Sequence, residues 1–338
     1  MTQSELAVLA AALVDGRGFA HKRDISDVLS SLSQALPGGT QALSQAVAIG
    51  DDCAAIPAGD SPEDGYLLFA IEGFLDDFVG ALPWFAGYCG VMVNLSDICA
   101  MGGRPIAVVD ALWSRGMSPG EDVMRGLAAA STRYGVPIVG GHSNNRSKQG
   151  SLAVAILGRA KRLLTSFDAR PGDKLMMAID LRGAFEEPHP FWNASTTAPA
   201  ERLRADIELL PLLAEAGLCD AAKDISNAGA IGTALMLLEC SKVGALIDVN
   251  DIPRPPGVPL LRWLQAFPSF GYVFSVRPEH EAAVAHHFDS QGIACATVGD
   301  VTAAPQVWLR DGASKALLWD VAEQPFIGAR AAEVTCDA

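Results

Sequence analysis

The sequence predicts an α+β protein of two domains, and three observations predict it. Segments with helical apolar spacing are interleaved with short apolar runs of strand length. The same kind of series restarts after the polar turn Phe167-Asp168-Ala169-Arg170-Pro171-Gly172-Asp173. A chain of 338 residues, half of them hydrophobic, suits two cores better than one. The boundary is placed near residue 165: 1–165 forms an N-terminal domain opened by an arm over 1–45, and 166–338 forms a C-terminal domain.

Taken in order, residues 2–15 and 23–35 carry helical spacing, and Pro37-Gly38-Gly39 breaks the second segment. A strand follows at 66–71, a helix at 83–101, a strand at 106–113, a helix at 119–134, and strands near 137–139 and 152–157. The second series has a strand at 175–179, helices near 201–216 and 228–242, strands at 245–248 and 272–276, a helix at 279–290 and a strand at 293–298. The stretch Phe185-Glu186-Glu187-Pro188-His189-Pro190-Phe191-Trp192-Asn193 fits neither period and reads as a surface loop or a substrate lid.

A formal charge of −14 argues against nucleic acid as a partner, because that affinity rests on clustered Lys and Arg. Cys53, Cys89, Cys99, Cys219, Cys240, Cys295 and Cys336 form no C-x-x-C pair and read as buried small hydrophobes in a reducing cytoplasm. The apolar stretch near the start is preceded by Glu5 and closed by Asp15, unlike a signal peptide, and no apolar run reaches membrane-spanning length. A cytoplasmic protein with no membrane partner is expected.

The chemistry is carried by three acidic turns: Gly50-Asp51-Asp52-Cys53-Ala54, Asn94-Leu95-Ser96-Asp97-Ile98-Cys99-Ala100-Met101-Gly102, and Asp224-Ile225-Ser226-Asn227-Ala228-Gly229. In each, carboxylates stand beside Gly, Ser or Asn, where a polyphosphate and its hard cations can approach the backbone. Shared Mg²⁺ sites are the expectation. Read singly, Asp51 or Asp52 also suits a turn or helix cap, and Asp97 a capping acid.

These motifs, with Gly102-Gly103-Arg104-Pro105 and Ala169-Arg170-Pro171-Gly172-Asp173, resemble the superfamily of aminoimidazole ribonucleotide (AIR) synthetase, selenophosphate synthetase, the hydrogenase-maturation dehydratase and thiamine-monophosphate kinase. The resemblance covers nearly the whole chain. It implies a homodimer whose N-terminal domains build a shared β-barrel, with ATP and Mg²⁺ activating an oxygen of a small-molecule substrate by phosphorylation. It also implies cation ligands at Asp51, Asp52, Glu72, Asp97 and Asp224. Gly140, Gly141, Ser143, Asn144, Arg146, Ser226 and Asn227 are expected around the phosphates, and Arg17 and Lys22 of the arm either close over them or lie in an ordinary turn.

The chain departs from the family pattern in three places. Where a Gly-Gly-Asp-Thr run is usual it reads Gly140-Gly141-His142-Ser143, so His142 either replaces a lost ligand, handles a proton as a catalytic residue beside Asp97, or is a hydrogen-bonded loop residue. Asn227 replaces a second acid, while Glu72 keeps the charge of the usual Asp on a longer side chain. The acidic run expected of thiamine-monophosphate kinase is replaced by Phe267-Pro268-Ser269-Phe270-Gly271-Tyr272-Val273, which with Trp192 suggests an aromatic pocket or simply core. The expected function is an ATP- and Mg²⁺-dependent enzyme of this superfamily. Thiamine-monophosphate kinase itself and a catalytically silent nucleotide-binding subunit are the alternatives.

Overall fold

The computed structural model describes residues 1–35, 47–74 and 76–329. Residues 36–46 of the expected arm and Cys336 lie outside them. Along the chain, α1 (Gln3–Val14) starts at a capping box in which the Thr2 hydroxyl accepts from Glu5 N–H while the Glu5 carboxylate accepts from Thr2 N–H. Helix α2 (Arg17–Ala35) begins six residues before the expected 23, so Lys22 is helical. Phe19 is what holds that first turn: it is 2% exposed and packs with Trp319 and Phe326.

Next come β1 (Ala54–Pro57), β2 (Tyr66–Phe74), α3 (Asp76–Ala81), α4 (Pro83–Ala100), β3 (Arg104–Trp113), α5 (Met117–Tyr134), β4 (Ile138–Asn144) and β5 (Ser151–Ala160). The strands form one sheet in the order β1-β2-β5-β3-β4, antiparallel except for the parallel β3–β4 pair that α5 connects. Leu68, Ala70, Val108, Leu112, Val154 and Ile156 alternate onto one buried face, which α4 covers. Helix α4 is apolar on all sides and buried from Phe85 onward, because α5 packs on its other side. The two helices meet through glycines: a Cβ at Gly87 would lie 2.0 Å from Val123 O, and one at Gly126 would lie 1.9 Å from Trp84 O. The other sheet face leaves Ile56, Phe69, Ile71, Val109 and Val139 exposed.

The remaining elements are β6 (Lys174–Ile179), β7 (Ala184–Phe185), β8 (Trp192–Asn193), α6 (Ala200–Asp206), α7 (Leu209–Ala216), β9 (Ala221–Asp224), α8 (Gly229–Cys240), β10 (Gly244–Asp248), α9 (Leu260–Leu264), β11 (Gly271–Val276), α10 (Glu281–Asp289), β12 (Ala294–Thr302), β13 (Gln306–Asp311) and β14 (Ser314–Asp320). A seven-stranded sheet runs β14-β13-β10-β12-β6-β11-β9, antiparallel except for β10–β13. Helix α8 is fully buried in the core of this unit, and α1 packs on β14. Glu239 of α8, with no exposure, accepts from the N–H groups of Phe326, Ile327 and Gly328 at 2.8, 2.7 and 3.2 Å and so anchors the last described segment. The 185–193 stretch is a short hairpin rather than a lid. Its Trp192 is 5% exposed, donates to Asp180 O at 2.9 Å and stands edge-on to Trp263.

The described residues group into two compact units, one comprising Asp52–Leu163 and Ser195–Glu215, the other Met1–Asp51, Leu164–Ala194 and Ala216–Ala338. The expected division differs in two places. The arm belongs with the seven-stranded sheet, since Leu6, Leu9, Leu13 and Phe19 fill its core. Conversely, 195–215 belongs with the five-stranded sheet: the Tyr88 and Tyr134 hydroxyls meet Ser195 Oγ at 2.6 and 2.8 Å, and Arg104 pairs with Glu208 and Glu215. Both are long-range contacts that local spacing does not encode. Among the described residues no helix is long and apolar enough to cross a membrane.

Candidate functional site

Two of the expected cation ligands come together inside the five-stranded unit. Asp97 lies in the last turns of α4, 4% exposed, and Asp52 in the turn before β1; each offers a carboxylate oxygen within 4.8 Å of the other. At an effective dielectric constant of 20 two such charges repel by about 3 kcal/mol, which a bound cation would relieve. One turn before Asp97 on the same helix stands Asn94, with no exposure. Its Nδ2 donates to Gly90 O at 2.8 Å, and its Oδ1 has no hydrogen-bond partner among the described residues. An orphaned buried oxygen beside a carboxylate pair suits a hard cation.

Glu72 sits half-buried on β2, on the same face as Leu68 and Ala70. It faces Val154 of β5, which on its other side faces Asp110 of β3, which in turn faces Gly141 of β4. Glu72, Asp110 and Gly141 thus share one cross-strand row on the covered face. Asp110 is 8% exposed, and burial alone pushes its carboxyl above the usual range.

His142 is corrected by the same register. The Gly140-Gly141-His142-Ser143-Asn144 run is not a loop beyond a strand at 137–139 but part of β4. His142 opposes Ala111, so alternation turns it, with Gly140 and Asn144, to the face opposite α4 and Asp97. It is exposed there, its ring 6.3 Å from that of Trp113. The sheet therefore separates His142 from Asp97. Gly141 and Ser143 stay on the inner face, and Asn144 Oδ1 accepts from Arg146 N–H at 2.9 Å, turning the chain after the strand.

The other unit holds Asp51, Asp224, Ser226, Asn227, Arg17 and Lys22. Asp51 has protein partners: its carboxylate accepts from Ser166 N–H and Oγ at 2.7 and 2.6 Å and faces the buried Lys223 ammonium at 3.8 Å. These partners tie Asp51 to Ser166 and to β9. Asp224, 2% exposed at the end of β9, accepts from Ser269 Oγ at 3.0 Å. Ser269 takes φ +46°, a left-handed conformation rare for a residue with a side chain, and its N–H donates to Ile225 O at 3.0 Å.

Just beyond Asp224, Ser226 Oγ and Asn227 Oδ1 are buried atoms with no hydrogen-bond partner among the described residues, at the N-terminal end of α8. The arm is fitted to this turn, for a Cβ at Gly18 would lie 2.2 Å from Asn227 O. Arg17 Nε donates to His21 Nε2 at 3.3 Å. Phe270 and Trp192 are both 5% exposed in the aromatic core around Trp263, and Phe267 packs edge-on to Phe191. Phe270 and Trp192 belong to that core, whereas Phe267 is half-buried.

Burial pushes the Cys219 and Cys295 thiols up to about 12, which keeps them protonated. Sequence reasoning passed over Asp110, Asn94, Lys223 and Ser269. Asp110 had a signal, a lone acid inside the apolar strand Ile106-Ala107-Val108-Val109-Asp110-Ala111-Leu112. Lys223 and Ser269 owe their roles to long-range pairing.

Sequence models of the N-terminal and C-terminal domains of AIR synthase related proteins match residues 50–160 and 173–311. The chain belongs to the AIR synthase-related family. An uncharacterized protein of Synechocystis, sll0787, is 46% identical over 92% of this chain and 94% of its own length. The thiamine-monophosphate kinase of Rhodopirellula baltica is 27% identical over 83% of this chain and 91% of its own. Among solved structures, T. maritima PurL complexed with ATP superposes with a TM-score of 0.70 at 18% identity; it covers 96% of this chain, which spans 52% of PurL. AaThiL complexed with AMPPCP and TMP gives 0.62 at 20%, covering 83% and 94%. At these identities the structural likeness establishes the AIR synthase-like fold alone.

Proposed function

We propose that this AIR synthase-related protein is an ATP- and Mg²⁺-dependent enzyme that phosphorylates, or activates by phosphorylation, an oxygen of a small molecule. The observation that carries the reading is the approach of Asp52 and Asp97 to within 4.8 Å, two hard-oxygen ligands of which Asp97 is buried and Asp52 half-buried. They fit a divalent cation, with Asn94 Oδ1 one turn earlier on α4 as a neutral oxygen and Glu72 as a further acid of the same unit. Bound there, the ion would neutralise phosphate charge, the main requirement of phosphoryl transfer.

The chain's own groups supply positioning. Ser226 and Asn227 at the start of α8, with the N–H groups of that turn, receive phosphate oxygens, and Arg17 and Lys22 of the same unit add positive charge. Gly140, Gly141, Ser143 and Asn144 line the edge strand. His142 has no part in this chemistry. A second copy covers the exposed apolar sheet face, giving the shared barrel of a homodimer.

Thiamine-monophosphate kinase is the narrower reading, favoured by the R. baltica relative. The aromatic residues at 267–273, of which Phe270 is core, speak against it.

The test is ATP consumption with Mg²⁺ or Mn²⁺ against thiamine monophosphate, formylglycinamidine ribonucleotide and small amides. Asp97→Asn is expected to lower turnover by at least ~100-fold with the protein still folded. Metal-dependent AMPPCP binding without turnover on any acceptor favours a regulatory subunit, and absence of nucleotide binding overturns the proposal.

A further inference from the structure

We infer that Asp110 is a substrate-recognition residue whose carboxylate receives an N–H donor of the amidine or protonated-amine class from the small molecule on which the protein acts. The inference rests on the functional reading above for the existence of such a substrate, while Asp110 is not itself one of the proposed cation ligands. Asp110 is 8% exposed in the middle of β3 and makes no hydrogen bond or ion pair among the described residues. A desolvated carboxylate is unfavourable unless paired, and a fold that merely needed an apolar strand would place Val or Leu there, as it does at Val108 and Leu112. The upward shift of its carboxyl, caused by burial alone, has the same origin.

A Cβ at Gly141 would lie 2.7 Å from Asp110 Oδ2, so the absence of a side chain at Gly141 is what lets the carboxylate lie against β4. On that edge strand the inner-face positions Gly141 and Ser143 are exposed, although their partners Asp110 and Leu112 are buried. The covered face is thus open along β4, and a ligand entering there meets the carboxylate. Glu72 lies in the same row, two strands away.

The donor set argues for nitrogen rather than a second metal. A divalent cation takes several oxygen ligands, and among the described residues Asp110 belongs to no group of three close Asp, Glu, His or Cys side chains. An amidinium presents two parallel N–H donors to the two oxygens of one carboxylate, which needs no second acid.

The experiment compares the full chain with Asp110→Asn, nearly identical in shape, and with Asp110→Ser. Thermal unfolding without ligand comes first: if the carboxylate is kept for a ligand, both variants melt at or above the wild-type temperature, whereas a clear fall makes Asp110 a structural residue and overturns the proposal. Acetamidinium chloride is then titrated and followed by the carboxylate ¹³C resonances. Saturable millimolar binding by wild type that weakens at least tenfold in both variants, and persists in Asp97→Asn, supports the assignment. No saturable response in wild type, or a response at Asp110 to Mg²⁺ alone, overturns it. Binding of Mg²⁺ and AMPPCP is measured on the same samples. Its loss from wild type with acetamidinium binding intact would sink the phosphoryl-transfer reading and leave Asp110 standing.

Discussion

Asp51 and Asp52 are neighbours in one turn, yet their carboxylates have different fates. Asp51 is held by Ser166 and Lys223, while Asp52 reaches to within 4.8 Å of Asp97. The Gly50-Asp51-Asp52 motif therefore announces an acidic turn without telling the two acids apart, because the difference is made by Asp97, Ser166 and Lys223, all far along the chain. The same distance effect governs titration. Cys219 is buried and its thiol pushed up to about 12, against about 8.5 for an exposed thiol. A group whose folded-state pKa is raised binds its proton longer in the native than in the unfolded state. Its stabilising contribution is full below the unfolded pKa and is lost as pH rises toward the folded value. Stability is expected to fall between about pH 8.5 and 12 with a slope approaching 1.4 kcal/mol per pH unit from this thiol. Urea midpoints measured at pH 8 and pH 10.5 check this: Cys219→Ala loses less stability between the two than wild type does.

At the level of elements, α4 carries Asn94 and Asp97, and its place between the sheet and α5 fixes where they point. The apolar sequence Phe85-Ala86-Gly87-Tyr88-Cys89-Gly90-Val91 already marks a helix buried on all sides, and its glycines mark close approach. Which backbone approaches is a tertiary fact. At Gly126 a methyl group would sit 1.9 Å from Trp84 O, so Gly126→Ala has to move α5 away from α4. A cost of about 1–3 kcal/mol is expected, read as a lower urea midpoint with an unchanged slope. If the variant matches wild type, the helices are less tightly coupled than the glycine contact implies. Strand β4 shows the opposite lesson. Its glycines suggested that the strand ended at 139, yet it runs to Asn144, because pairing with β3 overrides the weak β-propensity of Gly.

For the whole molecule, the exposed face of the five-stranded sheet is the largest open question the fold raises. Ile71 and Val139 are each 64% exposed, with Phe69 and Ile56 at 49%, and all four alternate outward from one sheet. A contiguous apolar face of this kind is the surface that the proposed second copy covers. Light scattering on a size-exclusion column is expected to give twice the chain mass of 35.4 kDa. Ile71→Arg, a surface change that leaves the core intact, is expected to shift the mass toward one chain. A wild-type protein that elutes at the mass of one chain contradicts the proposed homodimer.

The sequence by itself determined the two-series α+β plan, most helices and central strands, the acidic turns and, through their order, the family. These are properties of local period and short motif, which the chain carries wherever it folds. Tertiary structure alone decided that the arm and 195–215 change units, that Asp51 pairs with Lys223, that Phe270 is core, and that His142 and Asp97 lie on opposite sides of one sheet. Each of these depends on strand register or on contacts between residues far apart in sequence. A one-residue slip in register would turn His142 inward and Asp110 outward, and nothing in the local sequence forbids that slip.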